Sequence, residues 1–350
     1  MEREFEIAKI ESADISYSEG EREASYYMDG RKVLKYLSQR PDLASKFEEF
    51  IPPQEFTKLS DPEFQDSDRY KELATRIDEV AANNKEANKI WERFLPIMLD
   101  ALNGYIARLG IDLDPDEIRK RSEGLSIICL DIYRFWANII KRGIREDASG
   151  IYQPKEKLIA YTMTHFSKRD FERLSTRAQF ENIKSLVLHE LIHALSYQNF
   201  WISYKEKEGG GKVPEGIITR RIGIGGTTFG KTLKLEPLNE AITQRLVKEL
   251  LPSILEVKDE VKAKFVDRED LIYKEEQEVL SILTRKIDWK IFVAALFSKD
   301  GLPQLARSIR EQYGLSLKEL SDLMRLDSRK SQNQGKGCKY ELTKQRLGSI

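Results

Sequence analysis

Three residues near the middle of the chain have the types and spacing of a catalytic metal site. They are His189, Glu190 and His193, in the run "LVLHELIHAL" over 186–195. Two histidines four apart share one face of a helix and can reach a single ion. Neutral imidazoles suit zinc. A carboxylate one residue round from the first histidine leans over the ion's open side. There it can take a proton from water and pass it to a leaving amine. The chain has 3 histidines in 350 residues. Chance then gives roughly 0.03 pairs at this spacing, and a glutamate in second place cuts that about tenfold, which argues against coincidence. The flanking Leu186, Val187, Leu188, Leu191, Ile192, Ala194 and Leu195 are all uncharged. A helix apolar nearly all round should be buried. Buried imidazoles and a buried carboxylate need partners, and a metal supplies them at once. The competing reading is a core helix whose histidines bond to backbone carbonyls.

The run resembles the active-site helix of zincin metallopeptidases. The metzincin branch continues as HExxHxxGxxH, but here Ser196 stands for the glycine and Asn199 for the third histidine. The third ligand is therefore expected elsewhere, because two histidines are too few for a zinc site with one open position. No histidine follows His193, and His165 precedes it, so a carboxylate is expected. Glu206, Glu208, Glu215, Glu236 and Glu240 are available. The first two lie in a glycine-rich loop, a poor place to hold a metal. Glu215 follows a proline in that loop, and Glu236 comes just before a helix. Glu240, in "LNEAITQRL", lies on a helix whose Leu238, Ile242, Leu246 and Leu250 form a core face. The competing reading is an exposed glutamate that favours a helix N-terminus.

The Asn-Glu-Ala context resembles the gluzincin branch, where a glutamate from a second helix completes the site. The resemblance implies Zn²⁺ held by His189, His193 and Glu240, with Glu190 as general base. It implies an edge strand ahead of the HExxH helix that pairs with an extended substrate, and "KLIAYTMTHF" occupies its place. It also implies a tyrosine or histidine that donates to the oxyanion. Tyr273, in "DLIYKEEQEVL", is the first choice, with His165 and Tyr197 as alternatives. Asn239, Thr243 and Gln244 are near enough to hold a ligand histidine. Many gluzincins carry an acidic residue four places after the third ligand, and this chain has Gln244 there. The resemblance covers about 150 residues, from near Gly150 to near residue 300. Only HELIH and NEAIT are sharp.

The elements around these motifs predict an α+β protein. Its zincin-like catalytic core combines a small edge-stranded sheet, the active-site helix and a C-terminal helical subdomain. A mostly helical N-terminal region, 1–122, precedes a metallopeptidase domain over 123–326, and a polar, basic, disordered tail follows over 327–350. In the first region, Asp29 and Asp114 read as helix caps, with Pro115 at a first turn. Tyr70, Leu73, Ile77 and Val80 have helical spacing. Pro96 should kink or divide a long apolar helix that Gly110 ends, and "IPPQEF" is a break. "LSIICLD" over 125–131 reads as a buried strand, and "SGIYQPKEKLIAYTMTHF" as a hairpin. "GIGGTTFG" lacks the features of a phosphate loop and reads as a hairpin turn. "KEKEGGGK" reads as a mobile loop. Arg220 and Arg221 read as substrate contacts or as solvent-facing strand residues.

Composition narrows the remaining classes. Lys+Arg and Asp+Glu are 58 each, giving a formal net charge of zero. Bulk charge gives no reason to expect nucleic acid or an anionic membrane. The 2 cysteines form no CxxC, so thiolate zinc sites and a disulfide framework are not expected. The charged start "MEREFEIAKIES" has no signal-peptide core, and no apolar run approaches a membrane span. The expectation is a soluble, cytoplasmic zinc peptidase acting on a peptide or protein; leaderless export would leave no mark in the sequence. The alternative is a catalytically silent zinc-binding or partner-binding module that keeps the zincin fold. An intact Glu190 argues against it, since a silent copy has no chemical need of that carboxylate.

Overall fold

The computed structural model describes residues 6–11, 26–48, 50–82, 85–142, 150–153, 157–162, 176–206, 212–228, 231–233, 235–256, 273–324 and 340–348. These residues form a mixed α and β structure, mostly helical with small sheets. Strand β1 (Glu6–Glu11) comes first. Helix α1 (Gly30–Leu37) starts where Asp29 accepts the Lys32 N–H at 2.9 Å, the expected cap. Two single-turn helices, Pro53–Phe56 and Pro62–Gln65, fill the region of the expected break. Helix α2 (Asp68–Ala82) buries Tyr70, Leu73 and Ile77, as their spacing predicts. Helix α3 (Lys85–Arg108) continues through Pro96 undivided. Gly110, with φ 64°, turns the chain away after it. Helix α4 (Pro115–Ser122) has Asp114 as its cap and Pro115 in its first turn.

Strand β2 (Ser126–Leu130), helix α5 (Ile132–Arg142), strands β3 (Gly150–Gln153) and β4 (Leu158–Thr162) and helix α6 (Thr176–Leu195) follow. Strands β5 (Gln198–Glu206), β6 (Lys212–Ile222), β7 (Gly225–Thr228) and β8 (Lys231–Leu233) come next. The chain then enters helices α7 (Glu236–Ile254), α8 (Lys274–Leu283), α9 (Trp289–Phe297) and α10 (Gly301–Tyr313). A further helical stretch covers 317–324, and α11 (Glu341–Gly348) is the last helix described. None of the described helices is long and apolar enough to cross a membrane.

The chain divides into two compact units, Tyr17–Ile97 with Gly124–Glu190, and Met1–Ser16 with Met98–Glu123 and Leu191–Ile350. Helices α3 and α6 run through the division, and a further cut falls between Glu123 and Gly124. In the unit that holds α1, the three-stranded sheet has the order β2-β4-β3. β2 and β4 are parallel, and β3 and β4 are antiparallel. β4 is therefore the central strand, which corrects the expectation that its run forms the edge. All five of its residues are buried, and a doubly covered strand reads as continuously apolar. Among the described residues, β2 and β3 are the two edges of this sheet. Val33, Leu34 and Leu37 of α1 share one core with Ile128, Trp136 and Leu158. Gly30 brings α1 against α2, since a Cβ there would lie 2.0 Å from the Ala74 carbonyl oxygen.

The other unit contains an antiparallel sheet of order β1-β5-β6-β7-β8. β1 pairs with β5 from Glu6↔Tyr204 to Glu11↔Asn199, so the N-terminal region is not wholly helical. "GIGGTTFG" is also corrected: its "GGTT" is strand β7, and only Gly223 and Ile224 make the turn from β6. The glycine-rich run lies between the paired strands β5 and β6, and its residues 207–211 fall outside those described. The tail expected to be disordered contains α11, which buries Thr343 and Leu347, and the buried Tyr340 stands just ahead of it. The Tyr340 hydroxyl donates to buried Glu276 of α8 at 3.0 Å, and Lys344 pairs with Glu278. Thr343 and Leu347, one turn apart, anchor this helix, and the tail's polar composition hides them.

Candidate metal centre

Helix α6 is buried along its C-terminal half because its apolar residues go all round it. His189, Glu190 and His193 are 7%, 9% and 9% exposed. Helix α7 opens with Pro237 in its first turn and buries Leu238, Ile242, Leu246 and Leu250. That packing fixes Glu240, whose side chain stays 22% exposed. One ligand atom each from His189, His193 and Glu240 lie within 4.8 Å of one another. The His193 Nε2 to Glu240 Oε2 distance is 3.3 Å. A charge-assisted hydrogen bond would be nearer about 2.8 Å. Two ligands of a tetrahedral zinc, each at about 2.0–2.1 Å, stand about 3.3–3.4 Å apart. The spacing therefore accommodates a shared ion as well as a hydrogen bond. Two nitrogens and one carboxylate oxygen also match a catalytic zinc set that leaves a fourth position open.

Glu206 and Glu215 lie on β5 and β6, Glu236 is exposed at the start of α7, and Glu208 lies outside the described residues. Asn199 is on β5, opposite Arg221, so the metzincin third position is a sheet residue. The end of α6 explains the change of direction. The Ser196 hydroxyl donates to the Ile192 carbonyl at 2.7 Å, and Gln198 Nε2 donates to the Ala194 carbonyl at 2.8 Å. Arg121 donates to the Leu195 carbonyl at 2.9 Å. The last carbonyls of the helix are thereby satisfied by side chains.

Of Asn239, Thr243 and Gln244, Asn239 faces His193. Its Nδ2 lies 3.3 Å from His193 Nδ1, and its Oδ1 accepts the Ile224 N–H at 3.0 Å. Thr243 and Gln244 are buried on the same helix, and the Thr243 hydroxyl has no partner among the described residues. Glu190 packs against the start of β3. A Cβ at Gly150 would lie 3.0 Å from Glu190 Cγ and 3.3 Å from its Oε1. Any larger residue there would press on Glu190 and Leu186, which would have to give by a few tenths of an ångström. Glycine, the residue that permits close approach, is the sequence signal that could have found the contact.

Tyr273 immediately precedes α8 and is 38% exposed. Its φ of 52° makes it one of three non-glycine residues in the left-handed region among those described. Such outliers concentrate at functional sites. One turn further on, Gln277 Nε2 donates to the carbonyl of Ala241, the neighbour of Glu240, at 2.6 Å. Tyr197 is used differently. Its ring is buried, with the Arg121 and Arg221 guanidinium carbons 5.9 and 4.7 Å from the ring centroid. His165 lies outside the described residues. Arg221 is neither a free strand residue nor an exposed contact, because it donates to four backbone carbonyls. Burial pushes its pKa down to about 10, which still leaves it charged at neutral pH.

The chain matches no family model, no curated protein and no solved structure. The geometry of the centre therefore carries the functional argument alone.

Proposed function

We propose that the chain is a zinc-dependent peptidase of gluzincin type with a zincin-like core. The observation that carries this reading is the convergence of His189, His193 and Glu240 on one point, with Glu190 on the same buried helix. The three ligands would hold Zn²⁺. When bound, it would supply a Lewis acid and lower the pKa of water at the open position toward about 7. Glu190 then accepts the proton of the attacking water and delivers it to the leaving amine. Its burial and its contact with Gly150 hold it in one place for that transfer. β3 is the sheet edge beside Glu190, and an edge strand offers unpaired N–H and C=O groups to an extended peptide. Tyr273 is the proposed donor to the oxyanion.

A peptide library incubated with the zinc-loaded chain tests this. We expect cleavage that a chelator stops. Glu190→Gln should keep its zinc and lose hydrolysis by about 10²-fold or more. Undiminished cleavage by Glu190→Gln would refute the proposed base. Zinc binding with no cleavage of any peptide would support the catalytically silent module instead.

A further inference from the structure

The β6–β7 turn carries a chain of hydrogen bonds that ends on a proposed metal ligand. Gly223 has φ 57°, a conformation that glycine adopts without a side-chain penalty. Its N–H donates to the Tyr197 carbonyl at 2.9 Å. Its own carbonyl accepts Arg221 Nε at 2.8 Å. The same guanidinium donates to the carbonyls of Ala295, Ser298 and Lys299 at 3.1, 3.3 and 3.2 Å. A Cβ on Gly223 would lie 2.5 Å from Asn239 Oδ1, so turn and asparagine are in close contact. Ile224, the next residue, is 2% exposed and donates its N–H to that same oxygen at 3.0 Å.

The donor and acceptor roles along this chain are forced. A backbone N–H only donates, so the Asn239 atom facing Ile224 is the amide oxygen. The amide NH₂ therefore faces His193 Nδ1, at 3.3 Å. That NH₂ also only donates, so Nδ1 accepts. A neutral imidazole that accepts at Nδ1 carries its proton on Nε2. Nε2 is the atom that faces Glu240 Oε2 at 3.3 Å.

We propose that the Gly223–Ile224 turn sets the tautomer of His193: it occupies the Asn239 oxygen and so keeps the imidazole proton on Nε2, toward Glu240. The consequence rests on the metal-centre reading above. A nitrogen that ligates a metal must be unprotonated. Holding zinc at Nε2 moves the proton to Nδ1, where it needs an acceptor. The one oxygen of Asn239 is that acceptor, and the amide turns over to offer it. The Ile224 N–H then loses its partner. Metal and turn thus compete for a single oxygen, and by linkage each weakens the hold of the other. Asn239 is a positioning residue that acts through His193, and the turn acts through Asn239.

The test reads the histidine itself. The full chain, labelled with ¹⁵N-histidine and stripped with a chelator, is studied by NMR at a pH where the ¹⁵N shifts themselves report a neutral imidazole. His193→Gln assigns the resonance. The wild type should show the Nε2–H form. Asn239→Asp has two acceptor oxygens, one for Ile224 and one for Nδ1–H. It should switch the ring to Nδ1–H and bind zinc about tenfold more tightly. Zinc added to the wild type should speed amide exchange at Ile224, while Gly223, bonded to Tyr197, keeps its protection. An Nδ1–H form in the stripped wild type, or a tautomer unmoved by Asn239→Asp, overturns the proposal. So does an Ile224 amide protected equally with and without zinc. A wild type that binds no zinc removes the metal-centre reading, while the spectra of the stripped chains still decide the tautomer.

Discussion

At the scale of single residues, burial makes the centre legible. HELIH stands out because its neighbours are apolar, and buried polar groups without partners are costly. Glu240 can be read from its helix, whose core face is visible at 238, 242, 246 and 250. Asn239 follows from its place beside Glu240, but its bond to Ile224 does not. That contact joins a turn to a helix across 15 positions of sequence, and no local pattern encodes it. Gly150 is similar, with its meaning set by the Glu190 side chain 3.0 Å from where a Cβ would stand. Gly150→Ala should therefore displace the carboxylate. A misplacement of catalytic groups by about 1 Å costs about 10²-fold, and a smaller shift should cost about tenfold in kcat. Zinc content should be unchanged. Steady-state kinetics on a cleaved peptide, with metal analysis of the same sample, checks this; wild-type kcat would show that the close approach has no catalytic role.

At the scale of elements, strong local signals are reproduced and weak ones are not. The caps at Asp29 and Asp114 and the strand at 126–130 stand where the sequence puts them. β1 and β7 are short strands that exist because a neighbour supplies their ladder, so composition alone points elsewhere. The central place of β4, between β2 and β3, has the same origin. The register with β2, not the pattern of either hairpin strand, decides which strand is outermost. Helix contacts made through glycine can be tested directly. Gly30→Ala would put a methyl group 2.0 Å from the Ala74 carbonyl oxygen and force α1 from α2. Such overpacking costs about 1–3 kcal/mol. Urea denaturation should show a lower midpoint with an unchanged slope. An unchanged midpoint would mean that the two helices separate freely.

At the scale of the whole molecule, the chain's distant parts meet in ways that linear reading does not reach. Helices α1 and α2 share a core with Ile128, Trp136 and Leu158, on the far side of residue 123 in sequence. The last helix docks on α8 through Tyr340 and Glu276, 64 positions apart. Tyr340→Phe removes a donor from a buried carboxylate. It should lower stability by about 1–3 kcal/mol in a denaturation experiment, and no loss would show that water replaces the hydroxyl. Ligand binding to the native state alone stabilises it in proportion to RT ln(1 + [L]/Kd), so zinc should raise Tm and a chelator should lower it. On the proposed reading, His189, His193 and Glu240, from two helices, hold one zinc ion. Zinc content of the purified full chain, wild type beside Glu240→Ala, decides it. One zinc per wild-type chain and a loss of zinc in Glu240→Ala are expected. A wild type without zinc, or a Glu240→Ala chain that keeps its full zinc while Glu215→Ala loses it, would refute the three-residue centre.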